Sequence, residues 1–189
     1  MTPKMKLFVG PMFSGKSTRL VQNINRARIA GKNVICFKPI FDNRYTSEGY
    51  IVTHDKVHES CFLVSKSSQF LKIFEEEDKK MKIDCVAIDE AFMIDGIADA
   101  CCDLFYNRKV DIFISSLDLS FSLTSFEEIT KLLTHATHVK KCKAVCPNCG
   151  SDASYTMRKE SGNNNQITVG GKDMYEPRCL AHHANLNDL

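Results

Sequence analysis

Three groups of residues in this chain have types and spacings that suit chemistry. The first is Gly10-Pro11-Met12-Phe13-Ser14-Gly15-Lys16-Ser17, which fits G-x-x-x-x-G-K-[ST] at every fixed position. Glycines in such a loop let backbone N–H groups turn inward around phosphate oxygens. A helix opening at Lys16 adds the partial positive charge of its N-terminus. Lys16 then reaches the β- and γ-phosphates, and the Ser17 hydroxyl can ligate Mg²⁺. The expected cofactor is therefore ATP with Mg²⁺. The second group is Asp89-Glu90, which ends the apolar run Cys85-Val86-Ala87-Ile88. Alone, this run is a strand finishing in two solvated acids. Behind a phosphate loop it is the second acidic element: Asp89 binds Mg²⁺, directly or through water, and Glu90 is placed as general base on a hydroxyl or water.

The third group is a pair of metal-ligand knuckles, Cys146-Pro147-Asn148-Cys149 and Cys179-Leu180-Ala181-His182. Two such pairs build a tetrahedral Cys₃His site for Zn²⁺. Cys142 and His183 are alternative ligands. Residues 150–178 separate the pairs by more than the usual ribbon spacing, so a long loop must project between them. Four protein ligands leave no position for an activated water, which makes the expected zinc structural, one per chain.

The elements that must hold these groups follow from periodicity. Lys6 to Val9 reads as a strand. Lys4 and Lys6 precede its apolar run, but that run stops at Gly10-Pro11, so it is not read as an export leader. Leu20, Ile24 and Ala27 fall on one face of a helix from Lys16 to Ala30, with Gly31 as its stop. Asn33 to Phe37, Ile83 to Ile88 and Val110 to Ser115 read as strands. Ser67 to Asp78, about Asp95 to Tyr106, and Phe126 to His135 read as helices. Strands alternating with helices imply a parallel α/β sheet. Lys38 to Lys56 and Lys159 to Gln166 read as long loops. After about Lys141 the composition turns to Cys, Asn, Gly and His, with short strand-like pieces at Tyr155 to Arg158 and Gln166 to Val169. Two domains are expected, residues 1–141 for ATP and residues 142–189 for zinc.

Composition narrows the class. Hydrophobic residues at 43% and charged residues at 25% exclude a disordered chain. No apolar run reaches the ~18 residues of a membrane span. A formal net charge of +2 and the absence of Trp argue against a nucleic-acid or membrane-surface binder, such as a RecA-like or zinc-ribbon nucleic-acid protein. Nine cysteines behind no export signal are read as cytosolic thiols, placing the chain in the cytoplasm.

These residues together resemble the thymidine kinases of the zinc-bearing, tetrameric type, the cellular cytosolic, bacterial and poxvirus-like form. The resemblance runs from about Lys6 to His182. It rests on the loop through Thr18, Phe37-Lys38-Pro39, Asp42-Asn43-Arg44-Tyr45, Thr53-His54-Asp55, Ile88-Asp89-Glu90, and Leu117-Asp118 with Phe121 and Phe126. Val145-Cys146, Val169-Gly170-Gly171 and Tyr175 follow in order. It implies a P-loop, RecA-like, mostly parallel sheet with helices on both faces, and a small zinc-binding, ribbon-like domain with a lasso loop. It implies transfer of the ATP γ-phosphoryl group to the 5′-hydroxyl of thymidine, and of deoxyuridine, by a homotetramer. Glu90 would be the base. Asp42, Asn43 and Arg44 would organise phosphates and metal. Met12, Phe121, Phe126 and Tyr175 would enclose the nucleoside. Gln166, Ile167, Thr168, Val169 and Gly170 would form the lasso that reads the thymine edge. The zinc would hold both lasso ends, so its loss is expected to cost nucleoside binding and spare much of the ATP affinity.

This chain departs from the family pattern D-E-x-Q-F. Phe92 stands at the Gln and Met93 at the aromatic, and Leu119 stands where a small residue or Thr is common. The alternative within kinases is a nucleoside monophosphate kinase with a zinc-bearing lid. In that class the lid is inserted mid-chain, whereas both knuckles here are C-terminal.

Overall fold

A computed structural model describes residues 2–41, 49–53, 57–159 and 170–183. In chain order the elements are β1 (Met5–Val9), α1 (Lys16–Ile29), β2 (Val34–Pro39), β3 (Tyr50–Val52), β4 (His58–Ser60), β5 (Phe62–Val64), α2 (Ser67–Lys80) and β6 (Cys85–Ile88). Then come α3 (Ile97–Tyr106), β7 (Asp111–Ser116), α4 (Glu127–His135), β8 (His138–Lys141), β9 (Ala144–Val145), β10 (Asp152–Ala153), β11 (Tyr155–Arg158) and β12 (Tyr175–Arg178).

Six strands form the central sheet in the order β5-β2-β6-β7-β1-β8, and every neighbouring pair in it is parallel. The strands alternate side chains between two faces, which sorts the core into two clusters. Phe8, Cys36, Cys85, Ala87 and Phe113 face one way and meet Leu20, Val21, Ile24 and Ala27 of α1. Leu7, Val9, Phe37, Val86, Ile88 and Ile114 face the other way and meet α2, α3 and α4 through Phe70, Phe74, Leu104, Ile129 and Leu132. Helices on both faces follow from this division.

The helix ends are locally encoded. Gly31 (φ 77) stops α1 in the left-handed region: its N–H donates to the Arg28 carbonyl at 2.9 Å, and Lys32 N–H to the Ala27 carbonyl at 3.1 Å. At the start of α3 the orphan Ala98 N–H donates to the Glu128 carboxylate of α4 at 2.7 Å, tying two helices on one face.

The segment from Lys38 to Lys56 is not one loop. It contains the end of β2, and Tyr50–Val52 pairs antiparallel with β4. Two central strands also carry no strong sequence signal. β5 has three residues, and β8 is exposed along its whole length. Both lie at sheet edges, where no alternation of buried and exposed residues is demanded. No helix of the described residues is long and apolar enough to cross a membrane.

Candidate active site and metal centre

Parallel strands bring their carboxyl ends to one edge, and three chemistry-bearing turns meet there. The loop after β1 turns through Gly10 (φ 144), Phe13 (φ 63) and Gly15 (φ 74). At Gly10 a Cβ would lie 2.3 Å from the Cys142 carbonyl oxygen, so only glycine fits. Lys16 is buried, and its Nζ donates to the Pro11 carbonyl at 2.7 Å. Ser14 Oγ donates to the same carbonyl at 2.8 Å. The first turn of α1 carries no acidic residue, so the positive end of the helix faces the loop unopposed.

Asp89 and Glu90 follow β6, which β7 separates from β1. The Ser17 hydroxyl donates to Asp89 Oδ1 at 3.0 Å, and the Ser115 hydroxyl at the end of β7 donates to the same oxygen. A buried carboxylate gathered with a hydroxyl from the phosphate loop is a donor set that suits Mg²⁺, which prefers carboxylate oxygen and keeps other positions for phosphate and water. Glu90 is buried and sits at φ 50, ψ 43, a left-handed conformation that costs a non-glycine residue free energy. That turn reverses the chain into a short 3₁₀ segment, Ala91–Met93, and separates the directions of the two carboxylates.

The aromatic residues named from the sequence gather beside this edge. Phe126 and Tyr175 are buried in the cluster that also contains Met12, and Phe121 packs partly buried against it. The Phe121 and Tyr175 rings lie 6.2 Å apart, and the Arg158 guanidinium sits 5.5 Å over Phe121. Phe92 packs on Phe126 at 4.5 Å, and its N–H donates to Ser116 Oγ at 3.2 Å. The residue that departs from the family pattern thus supplies an apolar wall where an amide would have been polar. Gly170 lies against Met174, where a Cβ would meet the sulfur at 2.4 Å. Asp42, Asn43, Arg44, Gln166, Ile167, Thr168 and Val169 lie outside the described residues.

In the C-terminal unit, β9 pairs with β10 and β11 with β12, both antiparallel. The apolar cluster there is only Ala144, Cys146 and Ala153, with Cys179 packed on it. So small a core needs another source of stability, and a structural metal is one. The sulfurs of Cys146, Cys149 and Cys179 and a ring nitrogen of His182 all lie within 4.8 Å of one another. Cys149 Sγ to Cys179 Sγ is 3.7 Å; Cys146 Sγ and Cys179 Sγ lie 3.9 and 3.2 Å from His182 Nδ1. Tetrahedral zinc with Zn–S ~2.3 Å and Zn–N ~2.0 Å puts sulfurs ~3.8 Å apart and sulfur and nitrogen ~3.6 Å apart. The four residues therefore fit the ion. Burial opposes ionisation of the Cys146 thiol, yet hydrogen bonds from the Cys179 and Asn148 backbone and from the neighbouring thiols hold its pKa down at about 6. Metals bind the thiolate, so this favours a ligand role.

The two alternative ligands do other work. Cys142 Sγ donates to the Lys140 carbonyl at 3.7 Å, and its N–H donates to the Val9 carbonyl at 2.7 Å. His183 is fully buried, with Nε2 3.2 Å from the Thr156 carbonyl. By contrast, Cys36, Cys85 and Cys101 are core thiols whose burial pushes their pKa values up. Sequence reading passed over Ser115, Ser116 and Thr156. For the serines a signal existed: two hydroxyls at the carboxyl end of a buried strand, where parallel sheets bind ligands.

The family model described as thymidine kinase matches residues 3–183, through the phosphate loop, the acidic turn and the Cys/His cluster alike.

Proposed function

The chain belongs to the thymidine kinase family, and from that premise we propose how its residues carry the reaction. The protein is an ATP-dependent phosphotransferase that makes thymidine 5′-phosphate and ADP from thymidine and ATP. The match covers nearly the whole chain, which favours this activity over that of other P-loop kinases. One observation carries the assignment of roles: Ser17 of the phosphate loop touches Asp89 at 3.0 Å, with Glu90 next in the chain.

In this reading Lys16 and the loop N–H groups bind the β- and γ-phosphates. Ser17 and Asp89 would hold Mg²⁺, which when bound neutralises charge on those phosphates. Met12, Phe121, Phe126 and Tyr175 enclose the nucleoside, and residues 166–170 read the thymine edge. Asp42, Asn43 and Arg44 complete the phosphate side. Glu90 takes the proton of the 5′-hydroxyl as O5′ attacks the γ-phosphorus. The bond from that phosphorus to the β–γ bridging oxygen breaks, and its electron pair leaves with ADP. Phosphoryl transfer of this kind needs positioning and charge stabilisation more than covalent chemistry.

Residues 1–141 would form the nucleotide-binding unit and residues 142–189 the zinc-bearing one. The end of the central sheet at Lys141 supports that division. Zinc holds the two knuckles together and takes no part in the reaction. We further propose a cytoplasmic homotetramer that acts on small molecules rather than on nucleic acid or membranes. The modest charge supports the last point. Measuring ADP formation against a panel of nucleosides and nucleoside monophosphates tests the reading. Thymidine and deoxyuridine should stimulate it. Stimulation by monophosphates instead would overturn it.

A further inference from the structure

We infer that Thr156 is a positioning residue for the phosphate-binding loop, and that the Cys₃His centre sets its place through His183. The inference rests on the ATP-binding reading of that loop. The Met12 N–H donates to Thr156 Oγ1 at 3.0 Å in a buried setting. That N–H shares one rigid peptide plane with the Pro11 carbonyl, and the two point in opposite directions. The Pro11 carbonyl is the acceptor for both Lys16 Nζ and Ser14 Oγ. Holding the N–H side of the plane therefore aims its carbonyl side, and with it the Lys16 ammonium.

Thr156 is itself held from the metal side. It lies in β11, opposite Pro177 of β12, two residues before Cys179. Its carbonyl accepts a hydrogen bond from His183 Nε2 at 3.2 Å. A carbonyl only accepts, so Nε2 carries the proton. His183 is fully buried and follows the ligand His182 directly. A second grip lies nearby, where the Cys142 carbonyl packs on Gly10 and leaves no room for a Cβ. Read from the sequence alone, zinc loss spares ATP affinity; these contacts join the two. Coupling between binding sites is reciprocal, so nucleotide must also strengthen the hold on zinc.

The test uses the zinc-loaded full chain with ADP as probe. Thr156→Val removes the hydroxyl and keeps the shape, and Thr156→Ser keeps the hydroxyl. Thr156→Val should retain one zinc and bind ADP about tenfold more weakly, as expected for a buried donor that loses its partner. The KM for ATP should rise with it, while the KM for thymidine holds. Thr156→Ser should stay within about twofold of the parent. His183→Phe, which cannot donate, should weaken ADP, and His183→Gln should restore it. In the unmodified protein ADP should slow zinc release to a chelator. Free ADP binds zinc weakly and could only hasten release, so slowing has one meaning.

Equal ADP affinity in Thr156→Val and the parent would overturn the inference. So would equal weakness in the Val and Ser variants, or a zinc-release rate indifferent to ADP. The last measurement needs no variant and decides even if a substitution fails to fold. A chain that binds ADP through Thr156 and phosphorylates no nucleoside would sink the kinase assignment and leave this inference standing.

Discussion

Replacing Glu90 with Gln is expected to lower kcat by about 10²–10⁴, the usual contribution of a positioned base. That loss corresponds to ~2.7–5.5 kcal/mol of transition-state stabilisation. The amide keeps the size of the buried side chain and its backbone at φ 50, ψ 43, so the melting temperature should hold. Glu90→Gly separates rate from fold more sharply. It relieves ~1–2 kcal/mol of left-handed strain against ~0.5–1 kcal/mol for the extra freedom of glycine in the unfolded chain. The balance is no loss of stability, or a gain of a few degrees in Tm for a chain of this size. The assay is single-turnover transfer from γ-labelled ATP at saturating thymidine, beside thermal unfolding of the same samples. A Gln variant within tenfold of the parent would remove Glu90 from the base role. A Gly variant melting ~10 °C lower would show that this side chain holds the fold.

Gly10→Ala should melt well below Gly15→Ala, because its Cβ meets the Cys142 carbonyl at 2.3 Å while nothing lies within 4 Å at Gly15; calorimetry on both variants decides. Elemental analysis should find about one zinc per chain, and Cys149→Ser should lose that zinc together with thymidine binding. In native protein Cys36, Cys85 and Cys101 should resist alkylation at pH 8, since burial raises their pKa values; rapid modification by mass spectrometry would contradict their core placement. Deoxycytidine should fall behind thymidine in kcat/KM by about 10²–10⁴, because cytosine would leave two buried polar groups unpaired at ~1–3 kcal/mol each. Deoxyuridine, lacking one methyl, should lose only about 10–200-fold.

Residues whose identity is dictated by local backbone or by ligand chemistry were legible. Gly10, Gly15, Lys16 and Ser17 declare a loop because few other residues tolerate those angles or reach phosphate. The knuckle cysteines and His182 declare a metal site by spacing alone, and their donor atoms do converge. Strands and helices with a buried face were legible for the same reason: Leu20, Ile24 and Ala27 leave a period. β8 leaves none, since His138, Val139, Lys140 and Lys141 are all exposed and only backbone pairing with β1 makes them a strand. Contacts distant in sequence were invisible. Nothing near Thr156 announces that its hydroxyl meets Met12, and His183 reads as a spare ligand until its ring is seen on the Thr156 carbonyl.

The most direct measurement compares thymidine with 5′-deoxythymidine, which lacks the acceptor hydroxyl, using γ-labelled ATP and zinc-loaded protein. Label should appear in thymidine 5′-phosphate, with no transfer and only background ATP turnover for the analogue. ATP turnover that proceeds equally with both compounds, or with neither present, would contradict a nucleoside 5′-hydroxyl as the acceptor.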